Sequence, residues 1–197
     1  MQSIPRSKSG GGNVVLTPFF MAFAAGLSFA AALHAQTEES RTLELDGGGR
    51  VTYMLRTHPA DAHVARPAGE LAPTSALDAA KLLNLHLSAG DIEEAALLSN
   101  SPRRRFEVLR DYRESVGEEE FKRVFAQYFY AENRLLAEIA IGKHRLLIWD
   151  LKDGASRIAG QYFVEIEGRY LVDDVPNDAR TSLRWVLEAY RSGKLPR

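Results

Sequence analysis

The sequence predicts an α+β protein in which helices pack on an antiparallel meander, with a hairpin before them and one helix after. Three observations carry this. From Thr74 onward the apolar residues recur with the period of helices. From residue 134 to 175 they alternate with the period of strands, and a glycine marks most reversals. Helices segregated ahead of an antiparallel sheet define the α+β class. The 197 residues, 45% apolar and 26% charged, suffice for one domain with a real core.

Residues 42–57, TLELDGGGRVTYMLRT, read as a hairpin. Leu43 and Leu45 alternate before the turn and Val51, Tyr53 and Leu55 after it, and Asp46-Gly47-Gly48-Gly49 supplies the positive φ angles of a tight turn. Residues 58–73 are rich in Pro, Ala and Gly without a period and read as a linker to a domain over 74–197. Pro73-Thr74-Ser75 with Asp78 starts the first helix, and Gly90 ends it. Asp91-Ile92-Glu93-Glu94 has the form of a capping box for a short second helix. Ser101 and Pro102 open a third, which Gly117 closes. Phe121, Val124, Phe125 and Tyr128 form the stripe of a fourth. Strands follow over residues 134–141, 143–151, 157–167 and 169–175. Asn177 or Asp178 then caps a last helix with Leu183, Val186, Leu187 and Tyr190 on one face. The segment LLIWDL is apolar on both faces, so something must cover the second: the last helix, the hairpin or a second subunit.

The first 35 residues have the composition of a secretory leader. Arg6 and Lys8 precede an apolar run from Val14 to Leu33, and His34-Ala35-Gln36 leads into polar sequence. Cleavage is expected after Ala35, with a periplasmic or secreted product. The alternative is an uncleaved anchor, since the run is long enough to span a bilayer. Removing residues 1–35 leaves 23 basic and 26 acidic residues, a net charge of −3 against −1 for the whole chain. Neither value predicts nucleic acid or an anionic membrane as partner. The chain has no cysteine, which excludes disulfides, thiol nucleophiles and Cys-ligated metal.

Two stretches carry a resemblance. Ala89-Gly90-Asp91-Ile92-Glu93-Glu94-Ala95 ends the first long helix, and Gly168-Arg169-Tyr170-Leu171-Val172-Asp173-Asp174 forms the last strand. With the aromatic helices between them, residues 74–176 resemble the NTF2-like (cystatin-like cone, SnoaL-like) superfamily. The resemblance implies a curved sheet, a cone-shaped domain and a pocket between helices and sheet. It implies no single function, because that superfamily hosts isomerases, cyclases, hydrolases, interaction subunits and immunity proteins. The hairpin and the last helix depart from its usual core.

Glu138, Asp150 and Asp174 are the candidate catalytic carboxylates. A carboxylate in a low-dielectric pocket has a raised pKa and can serve as acid or base near neutrality. By strand alternation Glu138 shares a face with Leu136 and Ala140, and Asp150 with Leu146 and Ile148. Either could instead pair with Arg145, Arg157 or Arg169 across strands. Asp173 and Asp174 stand before Pro176 and a helix, where aspartates commonly accept backbone hydrogen bonds. Tyr128 or Tyr170 is the candidate hydrogen-bond donor. Phe121, Phe125, Tyr128, Trp149 and Tyr170 are the candidate binding wall, read equally well as core.

No two histidines of one element have metal-ligand spacing, so no metal is expected, and no phosphate loop or nucleophile elbow suggests a cofactor. Arg103-Arg104-Arg105 is interleaved with Glu107, Asp111 and Glu114 and reads as a solvated, salt-bridged face rather than a nucleic-acid contact. The function expected is therefore binding, to another protein or a small apolar ligand, in an accessory or immunity-type role. A membrane contact is expected only through an uncleaved leader, and a homodimer through the sheet face is open. The alternative is a cofactor-independent isomerase or hydrolase using an inward carboxylate.

Overall fold

A computed structural model describes residues 38–59, 62–153 and 155–196. The expected leader lies outside them. Six strands form one sheet in chain order: β1 (Glu38–Glu44), β2 (Arg50–Thr57), β3 (Arg134–Ile141), β4 (His144–Asp153), β5 (Ala155–Ile166) and β6 (Arg169–Val172). Every neighbouring pair is antiparallel. Between β2 and β3 come α1 (Ala76–Ala89), α2 (Ile92–Leu97), α3 (Pro102–Val116) and α4 (Glu118–Ala126), and α5 (Asp178–Arg191) follows β6. The α+β class holds, with five α-helices among the described residues.

The hairpin does not stand apart from the domain. Met54 to Thr57 of β2 pair with Ala140 to Ala137 of β3, so β1 and β2 extend the meander from four strands to six. The segment read as a linker is tied down at several points. The Ala62 carbonyl accepts from the Leu135 amide, the Pro73 carbonyl accepts from the Tyr170 amide, and Val64 is buried in the core.

Both faces of β4 are buried, as LLIWDL requires. Leu147, Trp149 and Leu151 pack with Ala79, Leu83, Leu87, Leu109 and Phe121 from the first four helices. Leu146 and Ile148 pack with Leu183, Val186, Leu187 and Tyr190 of α5. The last helix is thus the cover for the second face. It lies so close that a Cβ added to Gly160 would sit 2.6 Å from Leu187 Cδ2.

The helix ends follow the sequence in part. Ser75 accepts from the Asp78 amide at 3.1 Å and donates to the Asp78 carboxylate at 2.7 Å. Gly90 ends α1 at φ 90°, in the left-handed region that favours glycine. Asp91 and Ser101 stand at helix starts but make no side-chain cap bond. Ser99 Oγ takes the Ser101 amide instead. Asn177 caps α5, accepting from the Arg180 amide at 2.8 Å.

β6 is shorter than expected and ends at Val172. Its continuation is diverted because the Asp174 and Val175 amides both donate to Asn100 Oδ1. Residues 98–100 also lie against β6: the Val172 amide donates to the Leu98 carbonyl and the Asn100 amide to the Val172 carbonyl. This strap covers an edge that would otherwise invite another chain.

Candidate functional site

The three candidate carboxylates do not converge. A β-bulge between Leu135 and Ala137 shifts the phase of β3. Leu136 therefore packs toward α5, while Glu138 opposes Leu147 on the face covered by α1 to α4. The sequence expectation that Glu138 and Leu136 share a face fails at that bulge. Asp150 keeps its expected side with Leu146 and Ile148, toward α5. Asp174 lies past the end of β6, not within a strand.

Each carboxylate is held by arginine. Glu138 lies 3.3 Å from Arg56 and 3.5 Å from Arg145, and its side chain is 14% exposed. Burial raises its pKa, and the two guanidiniums oppose that rise. Asp150 is buried, pairs with Arg134 at 3.4 Å and accepts from Ser156 Oγ. Asp174 accepts from Ser99 Oγ at 2.7 Å and lies 3.4 Å from Arg105 and 4.0 Å from Arg180. An arginine-paired carboxylate is a poor proton acceptor, because protonation must first break the pair.

Asp173 is a junction. One oxygen accepts from Asn100 Nδ2 at 3.0 Å, and the other lies 2.8 Å from His144 Nδ1. Asn177 Nδ2 donates to Asp173 as well, and Arg180 donates to its backbone carbonyl. The α2–α3 connection, the start of β4 and the cap of α5 thus meet at one side chain that is 1% exposed.

The candidate aromatic wall is largely filled by its own rings. Phe121 and Phe125 lie 5.0 Å apart between centroids, and Tyr128 meets Trp149 edge-on at 5.1 Å. Phe121 and Trp149 are fully buried, and burial pushes the Tyr128 hydroxyl up to about 12. Tyr170 packs half-buried against the same cluster, with the Arg145 guanidinium 5.8 Å from its ring centroid.

Tyr170 and Glu138 line one cleft of about 360 Å³, together with Arg56, His58, Ser75 and Arg145. A second cleft, of about 280 Å³, opens where β6 stops, between Leu83, Arg105, Gln161, Asp174 and Arg180. Sequence reasoning missed Arg56, Arg105, Arg180 and His144. Arg105 had a legible signal: it stands four residues before Leu109, the buried residue of α3, while Arg103 and Arg104 point to solvent. The others depend on pairings between distant segments.

Along the rest of α3 the basic run behaves as a solvated face. Arg103 pairs with Glu107 and Arg110 with Asp111. Among the described residues no group of three or more His, Asp or Glu side chains is arranged to hold a metal ion. No described helix is long and apolar enough to cross a membrane. Comparison with protein-family models, with curated proteins and with solved structures returns no match.

Proposed function

We propose that this chain is an exported binding protein of the periplasm or extracellular space, acting by recognition of another protein. One observation carries the reading: each of the three candidate carboxylates, Glu138, Asp150 and Asp174, is already paired with arginine. The packed aromatic wall weighs against a roomy pocket for an apolar ligand, which leaves a polypeptide as the favoured partner. The leader composition supports export, and an accessory or immunity-type role suits a small envelope domain without cofactor motifs. The helices before the last four strands, with Ala89-Gly90-Asp91 at the end of α1 and Asp173-Asp174 after β6, support the NTF2-like reading of the fold.

Native mass spectrometry of the protein purified from its own envelope fraction tests this. The expected result is a mature chain beginning at Gln36 with a polypeptide retained non-covalently. A chain that begins at Met1 contradicts export, and a chain without a retained polypeptide contradicts the binding role.

A second reading rests on the Glu138 cleft. Burial raises the Glu138 pKa there, and Tyr170 lines the same space, as a cofactor-independent isomerase or hydrolase would need. Its signature is a small molecule that Glu138→Gln retains unchanged and the wild type releases chemically altered.

A further inference from the structure

β5 is twelve residues long and β6 only four, so the two strands differ in reach. β6 pairs with Phe163 to Ile166 alone, and the Asp173 amide adds one more bond, to the Tyr162 carbonyl. Among the described residues no strand lies outside β5 from Ala155 to Gln161. Two bonds fix which groups face outward. The Tyr162 carbonyl accepts from Asp173, and the Ile158 carbonyl accepts from Arg191 Nε at 3.2 Å. Alternation by two then turns the Gly160 amide and carbonyl to the same open side. Gly160 has no side chain to shield them.

The open edge runs between arginines. On the face of α1 to α4, Arg105 lines the cleft of about 280 Å³ and Arg157 a neighbouring cleft of about 320 Å³. From the other side of the strand α5 contributes Arg180, which reaches the same 280 Å³ cleft and whose guanidinium lies 5.3 Å from the Tyr162 ring centroid, and Arg191, which reaches the 320 Å³ cleft. Arg184 acts on the same Tyr162 hydroxyl electrostatically. The carboxylates that pair with these five are Asp174, with Arg105 and Arg180, and Glu188, with Arg191. Asp173 is committed to Asn100, His144 and Asn177, and Asp150 to Arg134 and Ser156. A chain of net charge −1 therefore carries a local cationic excess along an unpaired strand. Two buried atoms of residues that line the 280 Å³ cleft also lack a protein partner: the donor Arg105 Nε and the acceptor Gln161 Oε1.

We propose that the open edge of β5 receives an extended acidic segment of a partner polypeptide as an added strand; the proposal rests on the binding role above. Main-chain bonds to Gly160 supply the pairing, and Arg191 gives up the Ile158 carbonyl as the strand extends. Side chains of an added strand alternate between faces. Acidic residues of that strand meet Arg105 and Arg180 at the first cleft and Arg157 and Arg191 at the second, with Arg184 on the α5 side. A free small carboxylate could answer the arginines of one cleft but not the backbone of Gly160, nor a row spanning roughly 17 Å of strand.

The test is fluorescence anisotropy of the whole purified protein with a blocked, labelled octapeptide, TEEVEEVT. Saturable binding is expected, with protection of the Gly160 amide from hydrogen exchange. Reversal of two exposed charges, Arg157→Glu with Arg184→Glu, is expected to weaken it about tenfold or more while leaving thermal unfolding unchanged. Methylation of alternate peptide nitrogens on the pairing edge is expected to abolish it. Absence of binding, equal binding of the methylated peptide, or equal protection of Gly160 by free glutamate overturns the proposal. If a native polypeptide companion is retained by the double variant, the binding role stands and the β5 edge does not.

Discussion

Asp173 holds three segments together through one buried carboxylate, so its loss should be felt well beyond its own loop. Asp173→Ala removes the side-chain partner of His144 and Asn100, while Asn177 keeps the Val175 carbonyl, and is expected to cost about 3 kcal/mol in urea unfolding. Glu118→Ala, at an exposed helix start, is expected to leave the urea midpoint close to that of wild type. The buried tyrosines give the protein an alkaline limit. Burial pushes Tyr128 and Tyr190 from 10.0 to about 12, so the unfolded chain loses these protons before the folded one does. The stability attached to them is intact below pH 10 and is lost as pH climbs toward 12, by about 2 kcal/mol for each tyrosine. Chemical unfolding of Tyr128→Phe across that window should show a shallower decline than wild type. At this scale the sequence was only partly legible. That Asp173 and Asp174 accept hydrogen bonds could be read from the proline and helix that follow them, though the donors are side chains and not the backbone. Their partners Asn100, His144 and Arg105 could not, because a strand-end aspartate does not reveal which distant loop will donate to it.

α5 closes the second face of the sheet, and Gly160 is what lets it approach. A methyl group there would meet Leu187 Cδ2 at 2.6 Å and Leu146 Cδ1 at 3.0 Å. Gly160→Ala is therefore expected to destabilise by about 1–3 kcal/mol, and Leu187→Ala in the same chain should recover part of that loss by making room. Denaturant midpoints of the two single variants and the double variant measure the coupling. The cap of α5 gives a second handle. Asn177 serves both the Arg180 amide and Asp173, so Asn177→Ala should cost about 1–2 kcal/mol. Elements were the most legible scale, because long periodic stripes such as Phe121 to Tyr128 and paired alternations such as Val51 to Leu55 admit one reading. Two departures have local causes. The bulge after Leu135 moved Glu138 to the other face from Leu136, and the amide of Asn100 cut β6 short. Neither a bulge nor a strap leaves a mark in hydrophobic period.

For the whole molecule, the two layers of helices leave little of the sheet bare. The face of β1 and β2 that carries Ser40, Thr42, Thr52 and Met54 stays exposed, and it is mostly polar. The exposed large apolar side chains are scattered, at Met54 and Ile166 on strands and at Leu97, Val108 and Trp185 on helices among others. What remains for recognition is an edge: β1 is an outer strand guarded by Glu38, Glu39 and Glu44, whereas the unpaired part of β5 is bordered by arginines. Charge on edges was invisible before the pairing order was known. Hydrogen exchange of the native assembly from the envelope, compared with the chain alone, tests the account most directly. Recognition at the sheet edge requires slower exchange across residues 156–162 in the assembly, with the Glu138 and Tyr170 cleft unchanged. Protection confined to that cleft, with β5 exchanging as in the free chain, would contradict it.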